Sequence, residues 1–381
     1  MSVGRQRLRD CSPQRARFRV RSTEKQKGQE AHMTGRFVLS RRAALRGAAG
    51  VAGAAAFGAP AVAQANKKVI VGTWGGDYSR LLAKNIETPI LIPKGWEVVK
   101  DEAQDPPRRA KVLAEKSLRR GTTDIQALSA NNMYDMNEAG TLEPIDYAKI
   151  PNAANLLPEM KYAWGIGHIY SGKVILYNPK MITAPPTSFA EALDPRHGNK
   201  LGIIDIQYQY TMMAAALASG GAMNNFEPGK ARLLECRKSG ARVYPTNEAL
   251  AQGLKNEEIG LCIMWKARAV QWQNAGIPVQ TVAAKEGVPL FVSGMCIPKN
   301  APNKDGAYTY LDAMLTPSAQ EAFAVDMGYN PTVKNAKVAP DLQKRIGFDE
   351  QEQARLKDLD YGYLSSNDTA FKEWWDKSFK G

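Results

Sequence analysis

The chain has 381 residues, of which 44% are hydrophobic and 8% aromatic, and its formal net charge is +13. This composition is ordinary for a folded protein with room for two domains, and it excludes a chain that is disordered throughout. Residues 1–65 hold 13 Lys and Arg against 3 Asp and Glu, which leaves 38 against 35 for residues 66–381. The basic character therefore belongs to the amino-terminal segment, and no nucleic-acid partner is expected.

The amino-terminal segment has the order of features found in export signals. The pair Arg41-Arg42 precedes a run of small apolar residues that ends at an Ala-x-Ala site before residue 66. We therefore predict a twin-arginine (Tat) signal over residues 33–65 and a periplasmic protein. A membrane anchor is disfavoured because an arginine and a proline interrupt the run. Residues 1–32 show no apolar face and are expected to be disordered or part of an over-extended start.

Three cysteines follow the leader, namely Cys236, Cys262 and Cys296. An odd number allows at most one disulfide, and the apolar surroundings of two of them favour buried thiols. Only His168 and His197 accompany them, and there is no Cys-x-x-Cys pair. No metal or other cofactor is expected.

Short strand-like runs alternate with segments of helical period, which is the βαβ rhythm of an α/β protein. The predicted strands are 68–72, 96–100, 124–128, 173–178, 201–205, 241–244, 259–265, 278–283 and 290–298, and the predicted helices are 78–87, 107–119, 132–139, 211–219, 228–238, 246–255 and 267–274.

Two capped helices follow residue 300, and no flexible linker separates the two βαβ series. The sequence therefore predicts two lobes joined by strands. We expect lobe 1 to comprise residues 66–172 and 285–381, and lobe 2 to comprise residues 173–284.

Several motifs along these elements resemble one family, the periplasmic solute-binding proteins of ABC importers, and most closely its spermidine/putrescine type. Their order spans essentially all of the chain after the leader. The motifs are Thr73-Trp74-Gly75-Gly76-Asp77-Tyr78, Thr123-Asp124-Ile125-Gln126-Ala127-Leu128-Ser129, Asn137-Glu138-Ala139-Gly140-Thr141-Leu142-Glu143-Pro144-Ile145-Asp146, Gly260-Leu261-Cys262-Ile263-Met264-Trp265, Pro298-Lys299-Asn300-Ala301-Pro302-Asn303-Lys304 and Gly328-Tyr329-Asn330-Pro331-Thr332.

The resemblance implies a two-lobed α/β fold of the type II periplasmic binding-protein architecture, with the ligand in a cleft between the lobes. It also implies a receptor that delivers a small polar solute to a membrane permease driven by a separate ATPase. Consistently, the sequence has no phosphate-binding loop of its own. A monomer is expected.

The turn after the first strand supplies the first group of candidate ligand-binding residues. Ligands in α/β lobes bind at the carboxyl ends of strands. Gly75 and Gly76 allow a sharp turn and a close approach of backbone to ligand, while Trp74 and Tyr78 offer flat faces. Asp77 is expected to cap the next helix. The alternative is that Trp74 belongs to the core and Asp77 is only a cap.

Residues after the third strand and before the fourth supply further candidates. Ser129 and Asn131 follow strand 124–128, and the resemblance implies that the serine faces the ligand; a helix cap is the alternative role. Tyr170 is a weaker cleft candidate before a crossing strand.

Asp205, Tyr208 and Tyr210 lie at the end of strand 201–205. The resemblance implies amine binding by carboxylates and aromatic faces, which a cation favours. The two tyrosines are equally compatible with core packing.

The end of strand 259–265 points to a different ligand charge. The resemblance implies that Trp265 is an aromatic wall, but two cations follow it in the first turn of a helix, where they oppose the helix dipole. Arg268 could hold a carboxylate or phosphonate with its planar fork, or pair with a surface acid. The solute is therefore expected to be a polyamine, or alternatively anionic or zwitterionic.

A periplasmic enzyme is the remote alternative. The sequence has no Gly-x-Ser-x-Gly elbow and no His-Glu-x-x-His zinc motif. We therefore expect a receptor without catalytic activity.

Overall fold

The computed structural model describes residues 67–381. Two predicted segments lie outside the described residues: the Tat signal at 33–65, and the stretch 1–32 that is expected to be disordered or a mis-assigned start. Within the described part of the chain, no helix is both long and apolar enough to cross a bilayer.

The described residues form a mixed α/β structure, as predicted. The strands are β1 Lys68–Thr73, β2 Glu97–Glu102, β3 Ile125–Ser129, β4 Lys161–Tyr162, β5 Gly165–Tyr177, β6 Leu201–Ile204, β7 Arg242–Tyr244, β8 Leu261–Trp265, β9 Gln280–Val282, β10 Val288–Cys296, β11 Asn330–Pro331 and β12 Leu356–Lys357. The order across the sheet is β2-β1-β3-β10-β5-β8-β6-β7, and the four other strands attach to β5 or β10.

Helices connect and cover these strands. The α-helices are α1 Asp77–Leu82, α2 Asp105–Glu115, α3 Ala130–Glu138, α4 Phe189–Ala192, α5 Tyr208–Ala218, α6 Glu227–Lys238, α7 Asn247–Lys255, α8 Lys266–Asn274, α9 Lys304–Met314, α10 Pro317–Met327, α11 Pro340–Ile346, α12 Glu350–Gln353 and α13 Tyr361–Trp374. Wider π-helical turns, Ala83–Leu91 and Trp375–Phe379, extend α1 and α13. The first of them contains Pro89, which lacks the N–H that a regular helix would use.

The 13-residue strand β5 joins the two lobes. Up to Gly172 it pairs with β10, and from Lys173 onward it pairs with β8. Gly172 lies at this crossing, where a Cβ would come within 2.4 Å of the Val288 side chain, so a larger residue does not fit without movement. The lobes are therefore joined by strands and not by a flexible linker, which confirms that part of the fold prediction.

Each lobe has its own buried core. Lobe 1 is centred on β1 and β3, with Val71, Ile125 and Leu128 fully buried against α9 and α10. Lobe 2 is centred on β6 and β8, with Leu201 and Met264 fully buried. Two separate cores joined at a few strands allow the lobes to move as units.

The carboxyl-terminal helix packs differently from the predicted division, which placed all of 285–381 with lobe 1. Leu364 and Phe371 of α13 are buried in the core of lobe 2, together with Trp375 and Phe379 beyond it. The reason is the helical spacing of these apolar residues, which gives the helix one apolar face. The exact lobe boundaries stay a prediction.

The three cysteines of the described chain are free and buried. This confirms the interpretation as buried thiols. Burial raises the pKa of Cys236 to about 11 and that of Cys262 to about 12, so both thiols stay protonated at neutral pH.

Candidate ligand-binding cleft

A cavity of about 470 Å³ lies between the lobes, beside the crossing strands. This volume suits a small solute. The residues that line it come from strand ends, from the helices that follow them and from α13: Trp74, Pro106, Arg109, Ser129, Asn131, Asn132, Asp135, Ile206, Gln207, Tyr208, Gln209, Tyr210, Asn247, Trp265, Arg268, Phe291, Tyr329, Leu364, Ser365 and Asp368.

The side of the cavity built by lobe 1, called here the lobe 1 wall, consists of Trp74, Arg109, Ser129, Asn131, Asn132 and Asp135. The side built by lobe 2, called the lobe 2 wall, consists of Gln207, Tyr208, Tyr210, Asn247, Trp265 and Arg268. A ligand in the cavity would therefore touch both lobes.

Trp74 is held in the lobe 1 wall by its neighbours. The guanidinium carbon of Arg108 lies 5.0 Å from the centre of the Trp74 ring, and the Tyr78 ring meets it edge-on at 5.2 Å. The indole is half-buried, so part of its surface is left for a ligand. Arg108 itself is fully buried and donates to the backbone oxygens of Ala103 and Ala127, which makes it a structural residue.

The aromatic part of the lobe 2 wall is buried more deeply. The ring of Tyr210 meets Trp265 edge-on at 4.5 Å, and Phe291 lies 4.7 Å from Trp265 on the hinge strand β10. Tyr329 continues the row at 6.1 Å from Phe291. These side chains belong to the core and also form cavity surface. For Tyr210, core packing and a place in the cleft are therefore compatible roles.

The charges of the lobe 1 wall are paired within the protein. Arg109 Nε donates to Asp105 Oδ1 at 2.7 Å, and a second guanidinium nitrogen lies 3.8 Å from Asp135 Oδ2. Burial raises the pKa of Asp135, although a hydrogen bond with Ser365 and the charge of Arg109 oppose that shift. This wall offers a ligand little uncompensated charge.

Arg268 of the lobe 2 wall lacks such compensation. Its Nη1 donates to Gln271 Oε1 at 2.8 Å, and within residues 67–381 no carboxylate lies within ion-pair distance of it. Its Nε is buried and without a hydrogen-bond partner in the described structure. A guanidinium without an acid partner at a partly buried site is costly, and an anionic group in the cavity would offset its charge.

Asp368 of α13 is a carboxylate at the cavity without a described cationic partner. It accepts hydrogen bonds from the Tyr208 hydroxyl and, at 2.7 Å, from Gln209 Nε2. Its free acceptor positions suit an ammonium group. The cavity therefore combines an unpaired cation with an unpaired carboxylate.

Asp205, the carboxylate predicted to bind an ammonium group, is committed elsewhere. Trp375 Nε1 donates to it at 2.6 Å, and Lys380 Nζ lies 3.2 Å away. It does not line the cavity. Both partners belong to the carboxyl-terminal segment, whose contact with the end of strand 201–205 was not predicted from the sequence.

Four residues of the first turn also do not line the cavity, and only Trp74 does. Gly76 has φ +70°, so the turn itself requires glycine there. Asp77 is exposed and pairs with Arg80, and no side chain caps α1. Tyr78 is buried, with its hydroxyl 2.9 Å from His168 Nδ1. Gly75 contributes to the turn alone.

The remaining predicted residues divide in the same way. Tyr170 lies in β5 opposite Val292 and Asn330 and does not line the cavity. Ser129 lines the cavity and also occupies the position before α3, although its hydroxyl caps no backbone N–H. Asn131 lines it as well.

Several lining residues were not predicted. Arg109, Asp135 and Asn247 lie on helices rather than directly after strands, and Asp368 lies on α13. The apolar spacing of α13 and its Asp360 cap could have predicted that helix from the sequence. They could not have predicted that the helix contacts the cleft.

Two lobes around a cavity lined from both sides define a solute-binding protein of the type II fold. The chain belongs to the family described as bacterial extracellular solute-binding protein, whose model matches residues 94–350. This is a family of solute receptors and not of enzymes.

Individual proteins show the same likeness. The chain is similar to the spermidine/putrescine-binding periplasmic protein of Salmonella typhimurium, with 28% identity over 255 residues, or 60% of this chain and 72% of that protein. The fold matches an ABC transporter structure from Clostridium perfringens, with a TM-score of 0.69, 23% identity, and coverage of 81% of this chain and 99% of that one. It also matches the Atu4243-GABA receptor, with a TM-score of 0.71, 19% identity, and coverage of 81% and 96%. These likenesses confirm the predicted fold.

Proposed function

We propose that this protein is the periplasmic substrate-binding component of an ABC importer and that its solute is a small zwitterion with a carboxylate and an amine. The predicted leader over residues 33–65 supports export by the twin-arginine route. One similar protein is named as a periplasmic binding protein and another as an ABC transporter, which supports a receptor that passes its solute to a permease with a separate ATPase. We propose that it acts as a monomer.

Similar proteins do not decide the charge of the solute. One is named for polyamines and another for GABA, which has one amine and one carboxylate. The lining residues of the cleft are therefore the better guide.

Arg268 is the observation that carries the proposal. Its guanidinium lines the cavity and can donate to a carboxylate, and no carboxylate of residues 67–381 lies within ion-pair distance of it. A purely cationic solute would leave this charge uncompensated and would be repelled by the guanidinium.

Asp368 is the corresponding group for the amine. It faces the cavity from α13 beside Tyr208, whose ring adds an attractive surface for a cation. Helix α13 is packed in the core of lobe 2, and its Tyr361 ring lies 5.8 Å from the Tyr134 ring of lobe 1. A ligand bound to this helix and to the lobe 1 wall would therefore favour the closed arrangement of the lobes.

Three probes with the same four-carbon chain test this proposal by titration calorimetry: putrescine, 4-aminobutyrate and succinate. We expect 4-aminobutyrate to bind most tightly. Arg268→Gln should weaken it by about 2 kcal/mol, since one partner of a charged hydrogen bond is removed. The matched control is Arg80→Gln, which removes an exposed arginine outside the cavity and should leave binding unchanged.

The second candidate solute is a polyamine, favoured by the name of the similar Salmonella protein and by the two cleft carboxylates Asp135 and Asp368. Under this alternative, putrescine binds most tightly, and Arg268→Gln keeps or improves its affinity. Asp368→Asn should then abolish binding, with the exposed Asp77→Asn as its matched control.

A further inference from the structure

Lys173 is a buried cation directly behind the cleft. It lies where β5 passes from lobe 1 to lobe 2, opposite Trp265 of β8, and its side chain is 0% exposed. No carboxylate of residues 67–381 pairs with it. A buried charge without a counter-ion is costly, so its retention calls for a reason.

The surroundings of Lys173 are aromatic and neutral. Its Nζ lies 4.3 Å from the centre of the Trp265 ring and 5.9 Å from that of Tyr210. The titratable groups packed around it are the Cys262 thiol and the Tyr210 phenol, and burial raises the pKa of both. Burial lowers the pKa of Lys173 itself to about 7.

Lys173 makes its hydrogen bond to a residue that lines the cavity. Its Nζ donates to Gln207 Oε1, and Gln207 Nε2 donates to Asn247 Oδ1 at 2.9 Å. We call these three residues the Lys173 relay. Both amides of the relay line the cavity.

The relay determines which atoms face a ligand. A protonated lysine has only donors, so Gln207 must turn its oxygen toward Lys173 and its NH₂ group toward Asn247. Asn247 then accepts with its oxygen, and its own NH₂ group is left as a donor. Within residues 67–381 this Asn247 nitrogen donates to no acceptor, because the bond from Gln207 ends on the Asn247 oxygen.

We propose that the Lys173 relay selects the polarity of the solute: it presents the Asn247 NH₂ group as a donor at the lobe 2 wall, so that a carboxylate of the solute binds there. This inference rests on the proposed function and adds the residues that decide which end of a zwitterion enters lobe 2. Lys173 is a positioning residue, since it acts through Gln207 and Asn247.

Lys266 is a second buried lysine, and its contacts are those of a lysine with a structural role. Lys266 donates to the backbone oxygen of Gly347 and lies 3.2 Å from Glu352 Oε2, so its acceptors include an acid and lie outside the cleft. Lys173 has neither an acid nor a described acceptor other than Gln207. Because the acceptor of Lys173 lines the cleft, we infer that Lys173 serves the cleft and not the stability of the fold.

The proposal predicts proton uptake on binding. With a pKa of about 7, about half of the Lys173 population in the free protein is neutral near pH 7 and most of it near pH 8. A nearby carboxylate raises this pKa, so protons move from buffer to protein. Calorimetric titrations of 4-aminobutyrate in phosphate and in Tris measure this uptake. Asp135 is another cleft group with a shifted pKa, so the uptake assigned to Lys173 is the part that Lys173→Met removes.

Two variants separate the relay from a merely structural lysine. Lys173→Met should weaken 4-aminobutyrate and succinate by about tenfold or more, because the cation and the orientation of the amides are lost. Asn247→Asp retains the acceptor for Gln207 and replaces the donor by a carboxylate, so it should weaken the same probes and strengthen putrescine. It serves as the test should Lys173→Met fail to fold.

The outcomes are distinguishable. Weaker carboxylate binding in both variants, with loss of proton uptake in Lys173→Met, supports the relay. Unchanged affinities and unchanged uptake in the variants overturn the relay while the receptor function stands. Tightest binding of putrescine by the wild type overturns both the relay and the zwitterion proposal. Lack of binding of all three probes at about 10 mM overturns them too, since such affinity is weaker than about −3 kcal/mol.

Discussion

The two walls of the cleft differ in whether their cations have acid partners within the protein. In the lobe 1 wall, Arg109 is compensated by Asp105 and Asp135. In the lobe 2 wall, Arg268 lacks an acid partner among the described residues, and so does Lys173 behind it. The comparison teaches that the cation lining the lobe 1 wall is paired within the protein, whereas the cation lining the lobe 2 wall has no acid partner among the described residues and would gain one from an anionic ligand.

The walls also differ in how deeply their side chains are buried in the core of their lobe. Trp265 is 5% exposed and belongs to the buried cluster of lobe 2, whereas Trp74 is half-buried at the edge of lobe 1. Changes in the lobe 2 wall should therefore affect both stability and binding, and changes in the lobe 1 wall should affect mainly binding.

The largest expected effect is that of removing the two tryptophans in turn. Trp265→Ala should lower the free energy of unfolding by about 3–5 kcal/mol, because it leaves a cavity in a packed core. Trp74→Ala should cost only about 1–2 kcal/mol, since the ring is partly exposed before mutation. Urea unfolding measures both, and equal losses would contradict the distinction between the walls.

A second prediction concerns the uncompensated lysine. Lys173→Met should raise the stability of the ligand-free protein near pH 7 by about 1–4 kcal/mol, as apolar replacements of buried charges do. Burial lowers the pKa of Lys173 from 10.5 to about 7. Between these values the unfolded chain binds the proton and the folded chain does not, so wild-type stability gains up to about 1.4 kcal/mol per pH unit as pH rises.

The advantage of Lys173→Met should therefore shrink as pH rises from about 7 toward 10, because the unfolded wild type loses the same proton there. Thermal unfolding of both proteins across this range measures the difference, in which the titration of tyrosines and cysteines cancels. A constant difference would mean that Lys173 carries its charge in the fold at all these pH values.

The smallest expected effect comes from the paired cation. Arg109→Gln should lower stability by about 1 kcal/mol, because Asp105 and Asp135 lose their partner at a partly exposed site. Affinity for 4-aminobutyrate should fall less than in Arg268→Gln. A larger loss of affinity in Arg109→Gln would reverse the assignment of the two walls.

The strands and most helices were predictable because their periodicity is local, and residues directly after strands entered the site for a general geometric reason. Ser129, Tyr208, Trp265 and Arg268 were found in this way. Local reasoning could not place the carboxyl-terminal helix, which binds Asp205 and brings Asp368 to the cleft over more than 150 residues of sequence.

The role of Lys173 was equally inaccessible from the sequence. A lysine at the start of an apolar strand looks like an exposed end, and only the pairing of β5 with both β10 and β8 buries it. Its hydrogen bond to Gln207 depends on a contact between separate elements. Long-range packing, rather than any local signal, creates the charge pattern of the cleft.

The most direct test of the central claim is a crystal structure of the protein with 4-aminobutyrate. We predict the carboxylate within hydrogen-bond distance of Arg268 and the Asn247 amide in the lobe 2 wall, with the ammonium group at Asp368. An ammonium group beside Arg268 or Asn247, or a ligand that touches one lobe alone, would contradict the account.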